Sequence, residues 1–194
     1  MPTKDYFRDQ VAACIRGMAP RERAALDARL SARLAALPEL AAAGTALWFH
    51  PLPDEPDLRP LMRAWMAGGR VLCLPAIDAG SGRIVPRALA DLDAGLIPGR
   101  YGIPAPGPGC PAVPVTEITV VITPGRAFDP SGRRIGRGAG YYDRFLPTVR
   151  AVTIAPAYAC QVFPAVPAGP ADIPVDILVT EDGVIDCRTA ERKR

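Results

Sequence analysis

The stretch Pro124-Gly125-Arg126-Ala127-Phe128-Asp129, a connector at 130–133, then Arg134-Ile135-Gly136-Arg137-Gly138-Ala139-Gly140-Tyr141-Tyr142-Asp143 decides how the chain is read. An apolar, β-branched run at 118–122 leads into it, and a short helix is predicted over 141–145, so the stretch joins a strand to a helix. Gly136, Gly138 and Gly140 lack a Cβ and let main-chain N–H groups approach an anion closely. The helix start adds unpaired N–H donors and a favourable dipole. Arg134 and Arg137 bring planar guanidinium forks that match phosphate oxygens. No G-K-[ST] follows, so this is not a Walker loop, and the glycine spacing is not the dinucleotide fingerprint. On its residues alone it is an anion-binding loop, the bland alternative being a solvated turn with exposed arginines.

Outward from the loop, short apolar runs alternate with helical patterns. Helices are predicted over 3–17, where Phe7, Val11, Cys14 and Ile15 recur at helical spacing, and over 20–37, where Leu26, Leu30, Leu34 and Leu37 do the same. Pro20 sits near the start of the second. A third helix is expected at 61–67, closed by Gly68-Gly69. Strands are expected at 47–49, 71–74, 118–122, 152–155 and 177–179, with a short hairpin near 84–89 inside an irregular Gly- and Pro-rich region, 78–110. Short continuous apolar strands separated by helices favour a mostly parallel sheet with helices on both faces, hence a single α/β domain over 1–194.

Composition narrows the function classes. A chain of 194 residues supports one substantial core, and 49% hydrophobic with 22% charged residues is a globular balance. A net charge of +3 is too small to argue for nucleic acid, and the basic tail at 188–194 is short and has no interleaved aromatics. Five cysteines lie far apart with no C-x-x-C pair, which fits reduced thiols better than a zinc site or a disulfide framework. Cys73, inside an apolar run, reads as a small core residue. His50 is the only histidine, so histidine-based metal clusters are excluded. The charged N-terminus lacks a secretory pattern and no apolar run reaches membrane-spanning length, so a cytoplasmic protein with no membrane partner is expected.

The central stretch resembles the signature of the 5-formyltetrahydrofolate cyclo-ligases, also called methenyltetrahydrofolate synthetases: P-G-x-x-F-D, a few residues, then R-x-G-R-G-x-G-Y-Y-D. The likeness extends along the chain. Lys4-Asp5-Tyr6-Phe7-Arg8 resembles the family's N-terminal K-x-x-x-R, residues 49–55 its strand and loop ending in a substrate-binding Glu, and Gly102-Ile103-Pro104 and Val175-Asp176 two further short pieces. The resemblance implies a three-layer α/β/α domain with a mostly parallel sheet, CoA-transferase-like, the architecture also of sugar-phosphate isomerases. It implies ATP and Mg²⁺ as cofactors and 5-formyltetrahydrofolate, polyglutamylated or not, as substrate. A monomer without nucleic-acid partners is expected.

Residue by residue, the resemblance assigns ATP to Lys4, Arg8, Arg134, Ile135, Gly136, Arg137, Gly138, Ala139, Gly140, Tyr141 and Tyr142. It assigns the folate to His50, Glu55, Arg137, Gly138, Ala139, Gly140 and Tyr141, catalysis to Arg137 and Tyr141, and magnesium to Asp143 and Asp176. Lys4 and Arg8 are spaced i, i+4 and share a helix face, although a solvated basic pair reads the same way. Glu55 suits the donor edge of a pterin, or is a surface acid in a Pro-rich loop; His50 after a buried strand is otherwise structural; Asp143 otherwise caps a helix start. The implied mechanism phosphorylates the formyl oxygen with ATP, after which N10 attacks the formyl carbon and phosphate leaves. Phosphoryl transfer depends on positioning and charge neutralisation, and no protein nucleophile is expected.

The chain departs from the family pattern at Ala139, where many members carry Lys or Gly, at Arg126 and Thr119, and at Gly169 and Ala171, where Glu and His are frequent. The departures at Ala139, Gly169 and Ala171 favour, as an alternative, a non-catalytic or altered-substrate folate- or nucleotide-binding paralogue. A sugar-phosphate enzyme has no supporting motif.

Overall fold

Leu37 precedes Pro38, and the ring of a proline disfavours helical backbone in the residue before it. The helix expected over 20–37 is accordingly broken: α2 (Pro20–Ala35) ends first, Leu37 is extended, and α3 (Pro38–Ala42) restarts behind the proline. α1 (Lys4–Gly17) forms as expected, with Thr3 capping the Tyr6 N–H and Phe7, Val11 and Ile15 buried along one stripe. α4 (Arg59–Ala67) begins two residues earlier than the expected 61, with Pro60 tolerated in the first turn. The computed structural model describes residues 2–189, so most of the basic tail at 188–194 lies outside the described residues. Among those described, no helix is long and apolar enough to cross a membrane.

The apolar runs become β1 (Thr45–Leu47), β2 (Val71–Ile77), β3 (Ile84–Ala88), β6 (Val120–Ile122), β9 (Val152–Pro156), β10 (Ile177–Val179) and β11 (Val184–Asp186), paired in the order β11-β10-β9-β6-β1-β2-β3. β2, β1, β6, β9 and β10 are mutually parallel, while β3 and β11 close the two edges antiparallel. Two expected strands are shorter than their apolar runs. Residues 118–119 enter from a 3-10 turn, and Trp48-Phe49 leave β1 for the loop beyond it, although the Trp48 N–H still reaches the Cys73 carbonyl at 2.8 Å. The irregular region contributes a separate ribbon of β4 (Leu96–Pro98) and β5 (Pro104–Pro106), and the central stretch one of β7 (Ala127–Phe128) and β8 (Arg134–Ile135).

Alternation along each strand sorts side chains onto two faces. Ala46, Leu72, Leu74, Val120, Ile122, Ile177 and Val179 pack with Leu30, Leu34, Leu40, Met62 and Trp65 under α2, α3 and α4. Leu47, Cys73 and Val121 point the other way, onto Phe145 and Leu146 of the thinner layer built by α5 (Tyr141–Phe145) and the turn after it. The three-layer arrangement is the expected one. Burial pushes the Cys73 thiol up to about 12, as suits a core residue.

The topology fixes where a ligand must go. From β1 the chain moves to one side to form β2, then crosses back to lay β6, β9 and β10 on the other side. Strand order reverses between β1 and β6, and in such sheets ligands bind in the crevice beyond the carboxyl ends at that reversal.

Candidate functional site

A cleft of about 960 Å³ opens there, lined by Phe49, His50, Leu52 and Glu55 after β1, by Pro124 and Gly125 after β6, and by the glycine loop at 136–143. The loop is a fixed structure. Asp129, 1% exposed, accepts from the N–H groups of Ser131, Arg133 and Val166, which ties the β7–β8 turn to the β9–β10 connection. Buried Gln161 donates to the carbonyls of Gly125 (3.2 Å) and Arg126 (3.0 Å). Gly138 (φ 108°) and Gly140 (φ 64°) take backbone conformations that L side chains rarely adopt, and they turn the chain over the cleft before α5 begins. α5 forms over the expected five residues, and a helix this short contributes only a small dipole.

α1 lays its basic residues along the loop. Arg8 Nε donates to the Gly136 carbonyl at 3.0 Å, and Lys4 is ion-paired with Asp172. Arg134 is nearly enclosed, with 3% of its side chain exposed; its Nη2 meets Asp143 Oδ1 at 2.7 Å and its Nε has no partner. Arg137 reaches across the cleft, its Nε and Nη2 on Glu55 Oε1 at 3.2 and 3.1 Å and Nη2 also on Asp54. Burial works against the Arg137 charge, yet the carboxylates of Asp54 and Glu55 raise its pKa. Glu55 itself is pushed above the ordinary carboxylate value by burial, against the pull of the Leu52 N–H and Arg137. Burial and the Arg59 guanidinium lower the His50 pKa, so the ring is neutral at pH 7.

Tyr141 and Tyr142 divide their labour. Tyr141 lies at the mouth, its hydroxyl accepting from Arg100 at 2.9 Å and its ring beneath the Arg144 guanidinium at 5.2 Å. The Tyr142 hydroxyl is buried without a protein partner, and burial raises its pKa, so it stays a neutral phenol in the cleft wall. An unpaired Tyr142 hydroxyl and an unpaired Arg134 Nε beside one cavity are groups that a polar ligand would satisfy.

The cleft gathers Lys4, Arg8, His50, Glu55, Arg134, Arg137, Tyr141, Tyr142, Asp143 and the main chain of Gly136, Gly138, Ala139 and Gly140. Two residues singled out in the sequence are not among its walls. Ile135 packs its side chain under α1 with Phe7 and Val11, and its carbonyl accepts the Arg126 N–H at 2.6 Å. Asp176 lies just before β10, where its Oδ2 takes the N–H and hydroxyl of Thr153, both at 2.8 Å, and it is not among the cleft walls with Asp143. Asp172 lines the cleft instead, and like Asp143 it keeps one carboxylate oxygen clear of the protein hydrogen bonds. Among the described residues no cluster of three metal-ligating side chains exists.

Sequence reading also missed the opposite wall. The β4–β5 ribbon hangs Arg100, Tyr101, Ile103 and Pro104 over the cleft, and Pro75, Ile77 and Ile84 continue an apolar floor from the sheet edge. Tyr101 holds a left-handed backbone (φ 60°) that nothing in its residue type announces; only the short Gly102-Ile103-Pro104 piece marked the region.

A doubly wound sheet whose reversal-point cleft sets an arginine- and glycine-lined loop against an apolar floor defines an α/β protein that holds an anionic group beside a largely apolar one. The chain belongs to the 5-formyltetrahydrofolate cyclo-ligase family, whose model matches residues 1–181. It is 30% identical over 174 residues to the 5-formyltetrahydrofolate cyclo-ligase of Escherichia coli K12, covering 87% of this chain and 95% of that one. It is 31% identical over 150 residues to the enzyme of the same name from Mycolicibacterium smegmatis, covering 74% and 77%. The solved structure of Aquifex aeolicus 5,10-methenyltetrahydrofolate synthetase superposes with a TM-score of 0.83 at 33% identity, over 95% of this chain and 93% of that one. The Mycoplasma pneumoniae synthetase, at 19% identity and TM-score 0.74, shares the fold.

Proposed function

We propose that this cleft cyclises 5-formyltetrahydrofolate to 5,10-methenyltetrahydrofolate, with ATP as phosphoryl donor and Mg²⁺ as its counter-ion, releasing ADP and phosphate. One observation carries the reading: Arg137 spans from the glycine loop to Glu55, so a phosphate site and a carboxylate suited to pterin N–H donors adjoin through one side chain. Glu55 and the apolar floor of Phe49, Leu52 and Ile77 receive the pterin end. The main chain at 136–140, with Lys4, Arg8 and Arg134, receives the triphosphate. Asp143, through its unengaged oxygen, would hold Mg²⁺, which would supply charge neutralisation for phosphoryl transfer when bound.

The chemistry requires the formyl oxygen in line with the terminal phosphate. A guanidinium at the junction orients both ends and stabilises the charge on the transferring group. Purified protein mixed with 5-formyltetrahydrofolate, ATP and Mg²⁺ is expected to produce the methenyl chromophore, with ADP formed one to one. Tight nucleotide binding with no chromophore would favour the non-catalytic reading.

Glu55 adds a pH signature. It accepts from the pterin only as a carboxylate, and burial raises its pKa above the ordinary 4.5. KM for the folate is therefore expected to rise as pH is lowered, from a pH above the usual glutamate range. A raised folded-state pKa means that the proton is held more tightly in the fold. The Glu55 contribution to stability is thus present at low pH and lost as pH rises through the folded value. Weakening affinity and a locally favourable stability term run in opposite directions, which separates this limb from acid unfolding. Glu55→Gln should show a high KM without the limb; an unchanged KM profile would remove Glu55 from the substrate site.

A further inference from the structure

We propose that Asp54 and Arg126 are positioning residues that fix the Arg137 guanidinium, acting from behind the cleft without touching the ligands. This rests on the reading of Arg137 given above. Arg126 leaves β6 within the loop and points back into the protein, with 6% of its side chain exposed. Its Nη1 bonds Asp54 Oδ2 at 2.6 Å and the Asp54 carbonyl at 3.3 Å. The other carboxylate oxygen, Oδ1, takes Arg137 Nη2. One carboxylate therefore bridges two arginines, one rooted in the interior and one extended into the cleft. Neither Asp54 nor Arg126 is among the residues lining that cleft.

The bridge matters because of how Arg137 is otherwise held. Its remaining side-chain partner is a single oxygen, Glu55 Oε1, which the proposed pterin contact also needs. When Glu55 turns to the ligand, Asp54 is what keeps the guanidinium from sampling the many rotamers open to a half-exposed arginine. Arg126 fixes Asp54 in turn, through both its carboxylate and its main chain. Misplacing a reacting group's partner by an ångström costs about 100-fold in rate without abolishing binding.

Asp54→Asn and Arg126→Met are each expected to lower kcat about 10- to 100-fold while KM for ATP stays within about threefold. In an Arg137→Lys background, Asp54→Asn should cost less than about threefold more, since residues acting through one another are not additive. Asp54→Asn leaves Arg126 buried without a carboxylate, so the Asp54→Asn/Arg126→Met double variant serves as the folded control, and its kcat should fall as far as that of either single variant. Wild-type kcat in the double variant, or a full additional loss from Asp54→Asn in the Arg137→Lys background, would overturn the proposal. An active wild type with an unaffected Asp54→Asn refutes only the bridge. A wild type without turnover refutes the cyclisation reading itself.

Discussion

Arg137→Ala is expected to lose at least about 1,000-fold in kcat/KM while keeping its fold. Removing one preorganised charge donor from a transferring oxyanion costs about 100- to 1,000-fold, and arginines on transferring phosphoryl groups are worth up to about 100,000-fold. Arg137 would act at both ends of the reaction, on the phosphate and through Glu55 on the pterin, so the larger range applies. The structural cost is small by comparison. The Arg137 side chain is 41% exposed, and solvent screening holds the worth of its ion pairs to about 1 kcal/mol. Glu55 keeps the Leu52 N–H at 3.0 Å and relieves its burial by taking a proton. For a chain of this length, 1 kcal/mol shifts the melting midpoint by about 2–4 °C. Circular dichroism melts beside steady-state rates check both halves. A near-wild-type rate would show that the phosphate contacts lie elsewhere on the loop.

The sequence exposed the sheet because parallel strands buried on both faces are continuous apolar runs, and 71–74, 152–155 and 177–179 needed at most a few residues of adjustment. The loop was legible for a related reason: three glycines that must turn tightly beside arginines leave a local, contiguous signature. What stayed hidden depends on pairs distant in sequence. Asp54 meets Arg126 and Arg137 across 72 and 83 positions, and Lys4 meets Asp172 across 168. No periodicity records such contacts. Read singly, Asp54 is an acid in a Pro-rich loop and Arg126 an irregularity. Asp176 shows the converse, since a carboxylate that matches a motif lies outside the cleft walls, where its Oδ2 takes the N–H and hydroxyl of Thr153. Even Tyr101 follows this logic, because nothing in its residue type announces its left-handed backbone.

Asp143→Ala is expected to damage stability and activity by separable routes. It strips the carboxylate from Arg134, whose side chain is 3% exposed, and breaking a buried pair by removing one partner costs about 3–5 kcal/mol. Against a total of about 5–15 kcal/mol that loss is severe, and it corresponds to a melting midpoint lower by about 6–20 °C. The Ile173 N–H loses its acceptor as well, which loosens the segment that carries Asp172. Replacing the pair by apolar groups, as Arg134→Met/Asp143→Leu, removes the uncompensated charge and should recover most of the midpoint. It should not recover turnover, because the phosphate-facing guanidinium and the metal-facing oxygen are both gone. Asp143→Asn separates the second role in part: its side-chain oxygen still accepts from Arg134, which keeps the hydrogen bond although the buried guanidinium loses its counter-charge, and a neutral amide binds Mg²⁺ poorly. The Mg²⁺ concentration for half-maximal rate is therefore expected to rise about tenfold or more in Asp143→Asn, in keeping with the value of one charged ligand. An unshifted Mg²⁺ dependence would transfer the metal to Asp172, whose Oδ1 is the other unengaged carboxylate oxygen among the cleft acids.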